Sequence, residues 1–182
     1  GLAAGAPDLA PSGPQARVAR AGILEDLQRF EEAEDLLARA WILNTRDPLV
    51  LDRRLGFLVR RKRWTDLEQH ARYALGAGTH PPSAQYHLGL ALLAQKKVVQ
   101  ALAALEEAVD LDPRGSRAQA VLGSILAGSG QRARACRVLG QAVDHGAFTH
   151  ARRQEADTWR LLVRILPDEG APAEARPRAA SV

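Results

Sequence analysis

Alanine stands at positions 40, 74, 108 and 142, three successive steps of 34 residues. A unit repeated at that length cannot bury its apolar face alone and must do so against its neighbours, which constrains the chain to a linear stack of similar units. The period runs through other columns as well. Steps of 34 from Leu24 land on Leu58, Leu92 and Leu126, and from Leu37 on Ala71, Leu105 and Leu139. Two more columns run Ala33, Leu67, Ala101, Ala135 and Trp41, Leu75, Val109, Val143, while Phe30, Trp64 and Val98 form a fifth that fails at Arg132. In the second unit the small and large residues are exchanged, Leu67 with Ala71 where the third has Ala101 with Leu105. That swap conserves volume, which cores tolerate better than a net gain or loss.

Within one unit the spacing is helical twice. Leu88 and Leu92 share a face of a first segment, and Ala101, Leu105 and Ala108 share a face of a second, with Lys96 and Lys97 between them. Taken singly, each stripe is an ordinary amphipathic core helix; its recurrence turns the core positions into an array. Asp47-Pro48, His80-Pro81-Pro82 and Asp112-Pro113 punctuate the joins, since proline cannot continue a helix and restrains the residue before it.

These residues resemble the tetratricopeptide repeat, whose pattern places a Leu-Gly pair and a large residue on a first helix and Ala, large, Ala, Pro on a second. The third unit carries Leu88-Gly89, Leu92, Ala101, Leu105, Ala108 and Pro113, and the fourth Leu122-Gly123, Leu126, Gly130, Ala135, Leu139 and Ala142, ending in Ala147 rather than proline. The first keeps Ala21, Leu24, Ala33, Leu37 and Ala40; the second has Leu55 at the glycine column and Gly56 one residue later, so its helix crossing is expected to be wider. The resemblance implies an all-α fold, a right-handed α-solenoid of four stacked helix-turn-helix repeats with first helices lining a concave groove. The expected organisation is a flexible segment 1–13, four units at 14–47, 48–81, 82–115 and 116–149, a capping helix at 150–166 and a flexible tail at 167–182. The cap has an apolar face of Ala156, Trp159, Leu162, Val163 and Leu166 among arginines, and it seals the outer face of the fourth unit; the rival for it is a basic amphipathic helix on a membrane surface.

Projection of the inward side of each first helix gives the candidate groove: Val18, Gly22 and Glu25; Leu49, Asp52, Gly56 and Arg60; Ser83, Tyr86, Leu90 and Leu93; Arg117, Ala120, Ser124 and Ala127. Chaperone-binding members of the resembled family grip a terminal carboxylate with lysines and asparagines. The matching places here hold Val18, Gly22, Asp52 and Ser83, so the expected ligand is an apolar helical or extended protein segment, with Tyr86, Leu90 and Leu93 as anchors.

Chemistry is sparse. The five histidines form no i, i+4 pair, so no metal site is expected. Cys136, the single cysteine, sits beside core Ala135 and reads as a small apolar residue, and Trp41 and Trp64 fall in apolar columns and read as largely buried core. No catalytic residue and no cofactor are expected. A net charge of +4 and the run Arg60-Arg61-Lys62-Arg63 raise a nucleic-acid or anionic-membrane reading, set against the plainer one of a solvated turn. The first unit is acidic, with Glu25, Asp26, Glu31, Glu32, Glu34 and Asp35.

The expected function is a non-enzymatic adaptor or scaffold with a protein or peptide partner and scope for homo-oligomers through an uncapped first unit. The alternatives are a basic solenoid for nucleic acid and an accessory segment of a larger enzyme or secretion machine. One cysteine fits a cytoplasmic chain. No apolar run reaches the length of a membrane span. The absence of methionine sets the expected start upstream and makes a periplasmic or envelope-associated location the alternative.

Overall fold

The computed structural model of the chain describes residues 13–144. The expected segment 1–13 lies almost wholly outside them, as do the end of the fourth unit, the capping helix 150–166 with Trp159, and the tail. The described residues form eight helices and no strand: α1 Pro14–Asp26, α2 Phe30–Leu43, α3 Pro48–Arg60, α4 Trp64–Gly76, α5 Pro81–Ala94, α6 Val98–Leu111, α7 Ser116–Gly128 and α8 Arg132–Asp144. They divide at His80/Pro81 into two compact bodies, α1–α4 and α5–α8.

Proline stands at three of the starts, the third being Pro81 of α5. Pro14 and Pro48 occupy the first turn of α1 and α3, where a missing N–H costs nothing, and the Asp47 carboxylate accepts from the backbone N–H of Leu49 at 2.9 Å to cap α3. The turns inside the hairpins are built alike. Gln28, Lys62, Lys96 and Gly130, again 34 residues apart, all have positive φ, at 60°, 56°, 62° and 80°. Each closes its first helix in a Schellman motif: Lys62 N–H donates to Val59 C=O and Arg63 N–H to Leu58 C=O, a pattern repeated at 28/29, 96/97 and 130/131. The carbonyls reached from Arg29, Arg63, Lys97 and Gln131 are those of the leucine column, Leu24, Leu58, Leu92 and Leu126. The periodic leucine therefore serves the core with its side chain and the turn with its backbone.

In the α1–α4 body, Val18, Ala21, Ala33, Leu37 and Ala40 of the first hairpin form one buried cluster with Val50 and Phe57 of α3. Trp41 is half-buried against this cluster rather than enclosed by it, because its ring is shared with His70 at 6.0 Å and Tyr73 at 5.7 Å on α4. Trp64 is likewise half-buried at the start of α4. As the Leu55 substitution implies, α3 and α4 approach each other far less closely than the helices of the other three pairs.

In the α5–α8 body, Leu105, Leu122, Leu126, Ala135 and Leu139 are the core, and half-buried Cys136 packs against it as an apolar residue. Here backbone proximity is limiting. A methyl group on Gly89 would stand 2.6 Å from Leu105 Cγ, and one on Gly123 would stand 2.5 Å from Leu139 Cγ. Both leucines are fully buried and have no free volume to move into. Gly89→Ala is expected to lower the unfolding free energy by roughly 1–3 kcal/mol, read from urea denaturation. Adding Leu105→Ala should cost less than the sum of the two single losses, because the second change removes the obstacle that the first one meets. Additive losses would contradict the contact.

Candidate protein-interaction site

Among the groove candidates of the α1–α4 body, Val18 is corrected: it is 3% exposed and belongs to the core, because α1 turns that side toward α2 and α3. Glu25 and Arg60 are brought together across 35 residues, with Arg60 Nε donating to the Glu25 carboxylate at 2.8 Å and Nη2 at 2.5 Å. They border a depression of about 740 Å³, whose floor includes Ala19 and Gly22 and whose wall includes Arg53. Leu49 is 47% exposed near the opposite end of α3 from Arg60. Asp52 Oδ1 lies 3.5 Å from His80 Nδ1.

The arginine run occupies the α3–α4 turn and is exposed, and three of its four cations also have partners in the same body. Arg60 holds Glu25, the Arg61 guanidinium stands 4.4 Å over the Phe30 ring, and Arg63 pairs with both Glu34 and Asp66. The acidic first repeat and the basic turn of the second thus neutralise one another. Each such exposed pair contributes no more than about 1 kcal/mol, so together they set register more than stability. Arg63, held by the Asp66 and Glu34 carboxylates, has its pKa raised.

A half-buried polar pair joins α3 and α4 with no signal in the sequence. Arg54 Nε donates to His70 Nε2 at 3.2 Å, and His70 Nδ1–H donates to Asp66 C=O at 2.8 Å, which fixes the neutral tautomer. Burial lowers the pKa of both residues, and the facing Arg54 and Arg63 charges add to the effect on His70, while Asp66 opposes it. A depressed imidazole pKa contributes stability that is complete above its ordinary value of about 6.5 and lost as pH falls through the folded-state value. The melting temperature is therefore expected to drop on acidification from pH 7 to pH 5, and His70→Gln should remove part of that drop. A pH dependence identical in the variant would contradict the pairing.

In the α5–α8 body the candidates converge more closely. Arg117 stands 5.5 Å over the Tyr86 ring, and the ring meets His87 edge-on at 5.0 Å. Tyr86 and Leu93 lean with their inner sides on the core that contains Leu105 and Leu122. Burial raises the Tyr86 pKa, partly offset by the Arg117 charge, so the hydroxyl is neutral and available as a donor. Leu90 is half-buried, and Ser124 is exposed and spends its hydroxyl on Ala120 C=O at 2.8 Å. The arrangement is an apolar strip with one cation at its edge. No group of three metal-ligating side chains occurs among the described residues, and no described helix is long and apolar enough to cross a membrane.

The family pattern of the tetratricopeptide repeat matches residues 82–114, the α5–α6 hairpin and the start of the turn that follows it. The chain carries a tetratricopeptide repeat. No curated protein matches the sequence. Solved structures extend the likeness beyond one repeat. pilF of Pseudomonas aeruginosa is 23% identical with a TM-score of 0.73, covering 94% of this chain and 73% of its own. PilW, a widely conserved type IV pilus biogenesis factor, is 19% identical with a TM-score of 0.67, covering 92% and 75%. YrrB, a tetratricopeptide-repeat protein with an unusual peptide-binding site, is 18% identical with a TM-score of 0.55, covering 92% and 91%. At such identities the likeness shows the fold: an all-α helical repeat of the tetratricopeptide kind.

Proposed function

We propose that the chain is a scaffold that holds an apolar helical or extended segment of a partner protein against the first helices of its tetratricopeptide repeats, in support of complex assembly. The observation that carries this reading is the coverage of α5. Ser83, Ala84, Gln85, His87, Leu88, Gly89, Ala91 and Leu92 are buried, leaving Tyr86, Leu90 and Leu93 as a half-covered stripe at i, i+4 and i+7. A helix that is apolar all round is expected to be covered all round, so an uncovered stripe is a place for a ligand. Arg117 at its edge would orient an acidic residue or carboxylate of that ligand. The peptide-binding site of YrrB and the biogenesis role of PilW, both on this fold, support a peptide ligand and an assembly setting. The run Arg60–Arg63 contributes little to a nucleic-acid reading, since three of its four cations are engaged within their own body.

Peptides recovered by the chain from a displayed random library provide the test. The Tyr86→Ala/Leu90→Ala variant is expected to bind them about 30-fold more weakly, a loss near 2 kcal/mol, with unchanged helical content by circular dichroism. Equal affinity in the variant, or recovery of no peptide together with steeply salt-dependent oligonucleotide binding, would reject the reading.

A further inference from the structure

One recurring position, on α3 and on α7, packs against a core shared with the preceding hairpin of the same body. In α3 it is Phe57, 1% exposed and part of the cluster with Val18, Ala21 and Leu37 of the first hairpin. In α7 it is Ile125, packed against the cluster that contains Leu105 of α6. The equivalent residue of α1 is Ile23, and it is 60% exposed. One turn further, Leu27 is 62% exposed. Leu24 is only half-buried, although its counterparts Leu58, Leu92 and Leu126 stand at 0%, 2% and 1%. The outer face of α1–α2 thus presents apolar side chains whose counterpart in α3 is packed against a neighbouring hairpin.

These side chains line an open depression of about 610 Å³ whose edges are unlike in charge. The α1 edge carries Arg20, and the α2 edge carries Glu31, Glu32 and Asp35 with Arg29 beside them, which leaves the lining with an excess of one negative charge. Glu32 is held by Arg29 and Asp35 by Arg39, both in exposed pairs that exchange readily. Such a face is complementary to itself. A two-fold axis running along the seam between α1 and α2 would lay α1 of a second copy over α2 of the first, set Arg20 against the acidic edge, and repeat the contact on the other side.

We propose that a second copy of this chain covers the α1–α2 face, forming a symmetric dimer with Ile23, Leu24 and Leu27 at its centre and Arg20 facing the acidic edge of α2. Sedimentation equilibrium on the full chain is the test. The wild-type protein is expected to show a concentration-dependent monomer–dimer equilibrium. Ile23→Glu should be monomeric at the same concentrations with an unchanged melting temperature, since it alters an exposed side chain. Arg20→Glu and Asp35→Arg should each weaken the dimer about tenfold or more, and an equimolar mixture of the two should associate again, because the exchanged charges then face their opposites. A wild-type chain that remains monomeric to on the order of 100 µM overturns the proposal. So does an Ile23→Glu variant that dimerises as strongly as the wild type, or a charge-swapped mixture that gains nothing over its components.

Discussion

At Gly89 and Gly123 a helix backbone comes so near the leucine of the next helix that a single methyl group has no room. That approach is what the periodic alanines and glycines provide. With it, each hairpin closes on a leucine, the leucine fills the crossing, and the remaining sides of the first helix are left to meet whatever lies before and after. Where the rule is relaxed, at Leu55, the hairpin opens, and the space between α3 and α4 holds the Arg54–His70 pair instead of a dry contact. The second repeat is therefore the one whose two helices meet least closely. Burial there lowers the pKa of His70.

Charge follows the same division between structure and ligand. The basic run at the α3–α4 turn invites a phosphate, yet Glu25, Phe30, Glu34 and Asp66 already occupy three of its four cations. Arg117 is used differently, standing exposed over the half-buried ring of Tyr86. A cation engaged with carboxylates fixes how repeats meet. A cation beside an aromatic ring at an open edge remains free to meet a carboxylate from outside.

The eight helices, their joins and the tight crossings were legible in the sequence because each has a local signature: proline at a start, a 34-residue column of small residues, alternation of steps of three and four. The αL turn was legible only at Gly130, where glycine reveals it. At Gln28, Lys62 and Lys96 the same φ is imposed by closure of the Schellman motif, and a long polar side chain gives no sign of it. Val18 was misplaced by projection, which tells inward from outward only when the tilt of α1 against α3 is known. The Arg54–His70 pair joins residues 16 apart on two helices, a distance at which no helical spacing speaks. Tyr86 lies between these cases. Its column suggests the groove, and its ring is half-buried against the core that holds Leu105 and Leu122.

Whether that groove is where a partner sits is decided most directly by amide hydrogen exchange of the chain with and without a bound peptide. The account predicts that slowed exchange appears along α5 and α7, centred on the turns that carry Tyr86, Leu90 and Arg117. Protection confined to the α3–α4 turn with its arginines, and absent from α5, would contradict it.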